Sequence, residues 1–410
     1  MSGWVTQGPR VHAFEEAFAR SVGAAHACAV SSCTAALHLA LVAVGVKPGD
    51  VVATVSHSFI ATANAIRQCG AEPVFVDVRP SEPNMDPEAL ARLLTQDCLT
   101  IGDRLYYRRL NRLTSQESAL LPFKQLRQID GPQQGRMAAI VAVHQMGLPC
   151  DIGRIVDIAR SFNIPVVEDA ACALGSEISS DGGRSWEALG RPHGDVACFS
   201  FHPRKVLTTG DGGMLTTAHR KHDETFRLLR HHGMAIADTV RHQSAVILFE
   251  DYPRTGFNYR MTDIQAAIGL VQLRKLTALV AERRRLAARY AELLEGTSHV
   301  TVLRGRPAVR PNWQSYPVIV GPQAPCTPKD LMQMLLDRGI ATRRGIMNAH
   351  QEAPYLAGWT LPQSEKWRDR VILLPLFPGL AADDQIRIAG ALKAVLATNG
   401  RPGIKGNRVR

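Results

Sequence analysis

The chain has 410 residues, of which 45% are apolar and 21% charged; that is longer than one compact core supports and too apolar for a disordered chain, so two soluble domains are expected. No run of eighteen apolar residues occurs, and the start Met1-Ser-Gly-Trp-Val-Thr-Gln-Gly-Pro9 lacks the basic-then-apolar order of a secretory signal, so neither a membrane helix nor secretion is expected. The formal charge is +11, yet no helix-turn-helix, zinc-finger or RNP-like pattern accompanies it, which leaves a solvated basic surface or attraction to an anionic small molecule ahead of nucleic acid.

In chain order, His26–Ser31, Val51–Val55, Val74–Asp77, Ala138–His144, Pro165–Asp169 and Val196–His202 read as strands. Thr34–Val44, Ile60–Gln68, Pro87–Leu94 and Ile152–Phe162 read as helices between them. Such alternation predicts an α/β domain with a largely parallel sheet, whose ligands sit at the carboxyl ends of the strands. Asp77, His144, Asp169 and His202 fall at such ends. Residues 95–137 interrupt the rhythm as a surface excursion, with a helical turn or two expected over Arg104–Arg112. Within it, residues 99–136 hold seven Lys/Arg against three acids, and the tail 401–410 holds four Lys/Arg and no acid.

From Thr262 one long helical pattern runs to about Leu294, with Leu270, Leu273, Leu276, Leu279 and Val280 at helical spacing. It leads to a smaller C-terminal domain in which Ser315–Val320 reads as a strand and Pro328–Arg338 and Ala381–Leu396 as helices. The expected division is 1–260 for the large α/β domain, 261–400 for the linking helix and small domain, and 401–410 for the basic tail. None of the eight cysteines falls into a C-x-x-C or other metal spacing, and they read as the reduced cysteines of a cytoplasmic protein.

Three segments carry candidate chemistry. Ser31-Ser-Cys-Thr-Ala-Ala-Leu37 ends a strand and opens a helix, where the free N–H groups of the first turn, at Cys33 and Thr34, and the hydroxyls suit a phosphate. Pro165-Val-Val-Glu-Asp169-Ala-Ala171 sets an acid at the end of an apolar run, followed by small residues that permit close approach of a flat ring. Ser200-Phe-His-Pro-Arg-Lys205 leads into the turn Gly210-Asp-Gly-Gly213. A lysine to form a Schiff base and an acid to pair with a pyridinium nitrogen are what pyridoxal 5'-phosphate (PLP) chemistry requires. Asp169 would keep the ring nitrogen protonated, and Ser200 would donate to the phosphate. Phe59 would cover the ring's other face. Lys205, with a lowered pKa, would act as nucleophile and proton carrier. Taken singly, each has a plainer reading: an N-cap, a capping Asp, a core Phe, a surface Lys.

Together these segments resemble the DegT/StrS family of sugar-nucleotide aminotransferases, of PLP fold type I. The resemblance also runs through Gly3-Trp-Val-Thr-Gln-Gly-Pro9, Phe75-Val-Asp77, Val143-His-Gln-Met-Gly147, Gly256-Phe-Asn-Tyr-Arg-Met-Thr-Asp-Ile-Gln265 and Gly339-Ile-Ala-Thr-Arg-Arg-Gly345. It implies a large mostly parallel-sheet domain plus a smaller C-terminal α/β domain. It implies PLP held by Lys205 and Asp169 with Phe59 on the ring, Cys33, Thr34 and Ser200 at the phosphate, and Ala171 and Cys172 alongside. Asn258 would reach the phosphate of the neighbouring subunit, so a homodimer with shared active sites is expected. Arg343, His350 and Tyr355 would lie toward a nucleotide-sugar substrate, with glutamate as amino donor and surface polysaccharide or glycosylated metabolites as the destination. Cys172 stands where many members carry Gln or His, and Cys33 replaces a frequent Gly. The family's further helical segment ahead of Gly3-Trp4 is missing, so a shortened start is one reading, and the basic segment is longer than the family's usual link. Two other functions stay open. Sugar dehydration is one, although members with that chemistry replace the lysine by histidine. The other is a PLP-binding regulator without turnover.

Overall fold

The computed structural model of the protein describes residues 5–113, 117–120, 134–236, 246–247 and 249–397. The Gly3-Trp4 start, part of the basic segment and the 401–410 tail lie outside the described residues. The first half runs α1 (Pro9–Val22), β1 (His26–Val30), α2 (Cys33–Ala43), β2 (Val51–Val55), α3 (Ala61–Gln68), β3 (Glu72–Val76), α4 (Pro87–Gln96), β4 (Cys98–Ile101), β5 (Arg104–Tyr107) and β6 (Met137–Val143). It continues with α5 (Ile152–Ser161), β7 (Val166–Asp169), β8 (Glu177–Ile178), β9 (Glu187–Ala188), β10 (Val196–Ser200), β11 (Gly213–Thr217) and α6 (Arg220–Leu229).

Seven of these strands form one sheet in the order β1-β11-β10-β7-β6-β2-β3. β10, β7, β6, β2 and β3 pair in parallel, while β11 runs antiparallel to both β1 and β10. This is the mostly parallel sheet expected from the alternation. Its central strands are buried on both faces, which is why all seven residues of β6, Met-Ala-Ala-Ile-Val-Ala-Val, are apolar without alternation. Two clusters of buried side chains lie on one face, around Ile140 and Val166 and around Val11, Phe14 and Phe199, and a third surrounds α2 on the other.

Within the excursion, residues 98–107 form a hairpin where helical turns were expected from Arg104. β4 and β5 pair antiparallel with Ile101 opposite Arg104, turning at Gly102, whose φ of 62° a side chain would strain. Leu105 and Tyr107 alternate inward, a period of two that favours a strand; among the described residues between β5 and β6, one 3₁₀ turn follows at Leu110–Leu113.

The long helical pattern also divides. α7 (Asp263–Leu273) and α8 (Leu276–Leu293) meet at a bend of 57°. α7 packs on α1, where Gly269 lies against the Phe14 ring so closely that a Cβ would fall 2.7 Å from it. The later part of α8 buries Leu286, Ala287 and Tyr290 in a separate C-terminal core. That core holds β12 (Val300–Val302), β14 (Tyr316–Val320), β15 (Arg343–Arg344) and β16 (Val371–Leu374) in the sheet order β12-β14-β16-β15, with α9 (Pro328–Leu336) and α11 (Ala382–Ala397) against it. A short β13 (Val309–Arg310) pairs with β8. Helix α10 (Pro362–Arg370) is capped from the large sheet: Asp77, just past β3, accepts N–H bonds from Gln363 at 3.0 Å and Ser364 at 2.8 Å. Among the described residues no single helix is long and apolar enough to cross a membrane.

Candidate active site

The carboxyl ends of β7 and β10 and the start of β11 meet the first turn of α2. Gly213 pairs with Val30 on one side and with Ser200 on the other. It faces the β1–α2 turn so closely that a Cβ would fall 2.7 Å from Cys33 N and overlap the Ser32 carbonyl. Only glycine permits this approach. Ser32 caps α2, its hydroxyl accepting from Ala35 N–H at 3.1 Å. The N–H groups of Cys33 and Thr34 fall in the first turn and have no intrahelical acceptor. Ser200 stands opposite across Gly213, half-buried, its Oγ accepting from His202 N–H at 3.4 Å. Free N–H groups at a helix start, flanked by the Thr34 and Ser200 hydroxyls, form an anion cradle.

Asp169 ends β7, in register with Cys198 of β10. It is 5% exposed. One carboxylate oxygen accepts from Ala171 N–H at 3.2 Å, the other from Thr62 Oγ1 at 2.7 Å, and Thr62 Oγ1 is itself 2.9 Å from Ser58 Oγ. Each oxygen retains a free lone pair, and the neighbouring Ala170 and Ala171 offer little bulk.

Lys205 follows β10 in a turn closed by its own N–H to the His202 carbonyl at 2.9 Å. Its Nζ donates to Cys172 Sγ at 3.1 Å. Burial disfavours the ammonium, but the Cys172 sulfur and the Asp169 carboxylate outweigh it and hold this amine above the ordinary lysine range. The lowered pKa expected from the sequence is therefore corrected: the negative surroundings prevail over desolvation. Cys33 is fully buried, and burial pushes its thiol well above the usual range, so it contributes as a neutral group. Phe59 projects from the β2–α3 loop at 63% exposure, free to lie over a ligand.

A flat anionic cofactor with a ring nitrogen fits these residues: an anion cradle, a fixed carboxylate with room beside it, a lysine and an exposed aromatic. Four other residues were expected at or near the site. Asn258 is exposed and bridges to His231. Arg343 is exposed on β15 at the edge of the C-terminal sheet. His350 and Tyr355 do not face open solvent. They fill the contact between the C-terminal unit and the region of β2, β3 and α3, with His350 Nδ1 2.6 Å from Ser56 Oγ and Tyr355 Oη donating to Asn64 Oδ1 at 2.7 Å. Arg67 lies over the Tyr355 ring at 3.9 Å, so the Tyr355 side chain is held in place by its neighbours. Asp77 and His144, at strand ends, are likewise engaged: Asp77 in capping α10, His144 with Glu168 at 3.0 Å.

Sequence reasoning missed Thr62, Ser58 and Asn312. Thr62 stands in the first turn of α3, shortly after β2, and a hydroxyl at a helix start after a strand was the available signal. Nothing local marks Asn312.

The model of the DegT/DnrJ/EryC1/StrS aminotransferase family matches residues 1–101 and 127–393. Among solved structures, the aminotransferase TlmJ from Streptoalloteichus hindustanus is 30% identical with a TM-score of 0.78, covering 97% of this chain and 93% of its own. DesV of S. venezuelae, solved in complex with a ketimine intermediate, is 27% identical with a TM-score of 0.77 over 97% and 92%. DesI, solved in the presence of its TDP-sugar product, is 26% identical with a TM-score of 0.76 over 96% and 86%. The matched residues include both the strand ends and the loops that meet around Lys205, and the chain belongs to the DegT/DnrJ/EryC1/StrS aminotransferase family, a PLP-dependent aminotransferase of fold type I.

Proposed function

We propose that the protein moves an amino group from glutamate to the ketone of a nucleotide-linked sugar, working as a cytoplasmic homodimer. The observation that carries this reading is the meeting of Lys205, Asp169 and the Cys33–Thr34 cradle on one sheet edge, in a chain similar to DesI, whose structure holds a TDP-sugar product. When bound, PLP supplies an electron sink for the carbon that gives or receives the amino group.

The protein's own groups do the rest. Asp169, its direction fixed by Thr62 and Ala171 N–H, holds a proton at the ring nitrogen. The N–H groups of Cys33 and Thr34 and the Thr34 and Ser200 hydroxyls bind the phosphate. Phe59 excludes water from one face of the ring. Lys205 Nζ takes a proton from one carbon and returns it to another, so that the donor leaves as an oxo acid and the keto-sugar as an aminosugar. Ala171 and Cys172 line the cofactor's flank, and Arg343 stands as the cation for the nucleotide's phosphates.

A homodimer is supported by α7, which exposes Ile264, Ile268 and Val271 on one face at 59%, 43% and 43%, an apolar stripe suited to a second copy. The exposed Asn258 would serve the neighbouring subunit's phosphate. A cytoplasmic setting accords with eight cysteines outside any disulfide. The test is incubation of the purified protein with PLP and glutamate against TDP-, UDP- and GDP-linked keto-sugars, read by mass. An aminosugar product with equimolar 2-oxoglutarate is expected; no product across the panel, with PLP bound, overturns the substrate class.

A further inference from the structure

Two loops set the surroundings of the Lys205 amine: the one after β7, which carries Cys172, and the turn after β10, which carries Lys205 itself. Both are held by two residues of one short segment leading into β14, Asn312 and Gln314. Asn312 is fully buried. Its Nδ2 donates to the Cys172 carbonyl at 2.8 Å and the Leu174 carbonyl at 2.9 Å, and its own N–H donates to Ser176 Oγ at 3.0 Å. Its Oδ1 accepts from Gln314 N–H at 2.8 Å. Gln314 Nε2 then donates at 3.0 Å to the carbonyl of Arg204, the peptide that leads into Lys205. Trp313 between them adopts a left-handed φ of 53°, a conformation unfavourable for a bulky residue and retained only where surrounding contacts impose it. Space is reserved for Asn312 as well: a Cβ on Gly147, whose φ is 86°, would overlap its Oδ1.

We propose that Asn312 and Gln314 are positioning residues for Lys205, clamping the loop that bears Cys172 against the turn that bears the lysine so that Sγ and Nζ keep their 3.1 Å contact. The proposal rests on the reading of Lys205 as the lysine that holds PLP. Neither residue touches the reacting atoms. Asn312 supplies two donors that leucine lacks, and Gln314 supplies one that alanine lacks.

The test uses the full-length protein freed of cofactor. Trinitrobenzenesulfonate labelling of the Lys205 peptide is followed by mass over a pH series, with the exposed Lys329 as internal reference. In Asn312→Leu and in Gln314→Ala, neither of which adds a charge, the pH midpoint for Lys205 falls by about half a unit or more, because the sulfur that favours the ammonium is withdrawn, while Lys329 is unchanged. Cys172→Ala gives the same fall, and Asn312→Leu adds nothing to it in the double variant, as coupled sites require. Folded Asn312→Leu and Gln314→Ala proteins with the wild-type Lys205 midpoint overturn the clamp, as does full additivity with Cys172→Ala. Should Asn312→Leu fail to fold, the half-exposed Gln314 carries the test, and an unshifted Gln314→Ala overturns the proposal. Borohydride fixation of PLP to a different lysine would refute the role of Lys205 separately, leaving the labelling result intact.

Discussion

Asp169 and Thr62 lie 107 residues apart in the chain and are joined by a 2.7 Å hydrogen bond between carboxylate and hydroxyl. The bond fixes the carboxylate's rotation while Ala171 N–H fixes its other oxygen, so a ring nitrogen brought beside Asp169 would meet a carboxylate already oriented.

Asp169→Asn should retain PLP but lower kcat by about two orders of magnitude, the scale of losing one preorganised electrostatic partner. Thr62→Val should cost less, about tenfold, since it removes one hydrogen bond to a charged group and leaves the other. Single-turnover rates with glutamate check both; a near-normal rate in Asp169→Asn would refute its role.

Lys205 should be the residue to which borohydride fixes PLP, and the purified protein should be yellow. Peptide mass mapping reads this directly. Lys205→Ala should still bind PLP through the phosphate cradle, more weakly, and be inactive in both half-reactions.

If Asn258 serves the partner's site, Lys205→Ala and Asn258→Ala chains should complement each other. A mixed dimer regains one site with both groups intact, so partial activity is expected after subunit exchange. No recovery, in proteins shown to exchange and each folded and inactive alone, counts against sharing.

His57 is fully buried, and burial pushes its pKa down to about 4, against the raising influence of its 2.8 Å contact with Asn348 Oδ1 and of Asp77. A histidine depressed in the folded state binds its proton more readily when unfolded. Its contribution to stability is therefore present above about 6.5 and is lost as pH falls toward 4, by at most ~3 kcal/mol. His57→Gln should flatten the fall in Tm across that window relative to wild type; an identical slope would show that His57 titrates freely.

Two arginines just past the hairpin are tied back to the end of α4. Arg109 pairs with Asp97 at 2.6 Å and Arg108 donates to the Gln96 carbonyl at 2.6 Å. Reversing both to Glu should lower stability by no more than about 1–2 kcal/mol, as expected for half-exposed contacts, and leave the salt dependence of kcat/KM unchanged. A loss at low salt that vanishes at high salt would instead reveal steering of an anionic substrate.

The parallel strands and the helices between them were legible because a doubly covered sheet demands continuous apolar runs, as in Val51–Val55 and Met137–Val143. The cofactor edge was legible because its residues sit at strand ends beside glycines. Strand β11 was not, since Met214–Thr217 follows Gly-Asp-Gly-Gly directly and only its insertion between β1 and β10 makes it a strand. The break between α7 and α8 carries no Gly or Pro. It arises because Leu270, Leu273 and Leu276 pack with the α1 cluster while Leu286 and Tyr290 belong to the C-terminal core. The partners of His350 and Tyr355 were not legible for a related reason: a polar side chain buried between two packed units carries no local sign of what it will bond.

The crowding at Gly213 limits how the protein's grip on its cofactor can be altered by engineering. Because not even a methyl group fits between this residue and the Ser32–Cys33 peptide, the backbone half of the cradle has no neighbouring variants to sample. Adjustment is confined to the side-chain half, at Thr34 and Ser200, where hydroxyls can be exchanged or deleted without displacing a strand. A mutational library aimed at cofactor retention should therefore find its graded phenotypes at those two positions and an abrupt loss at the glycine.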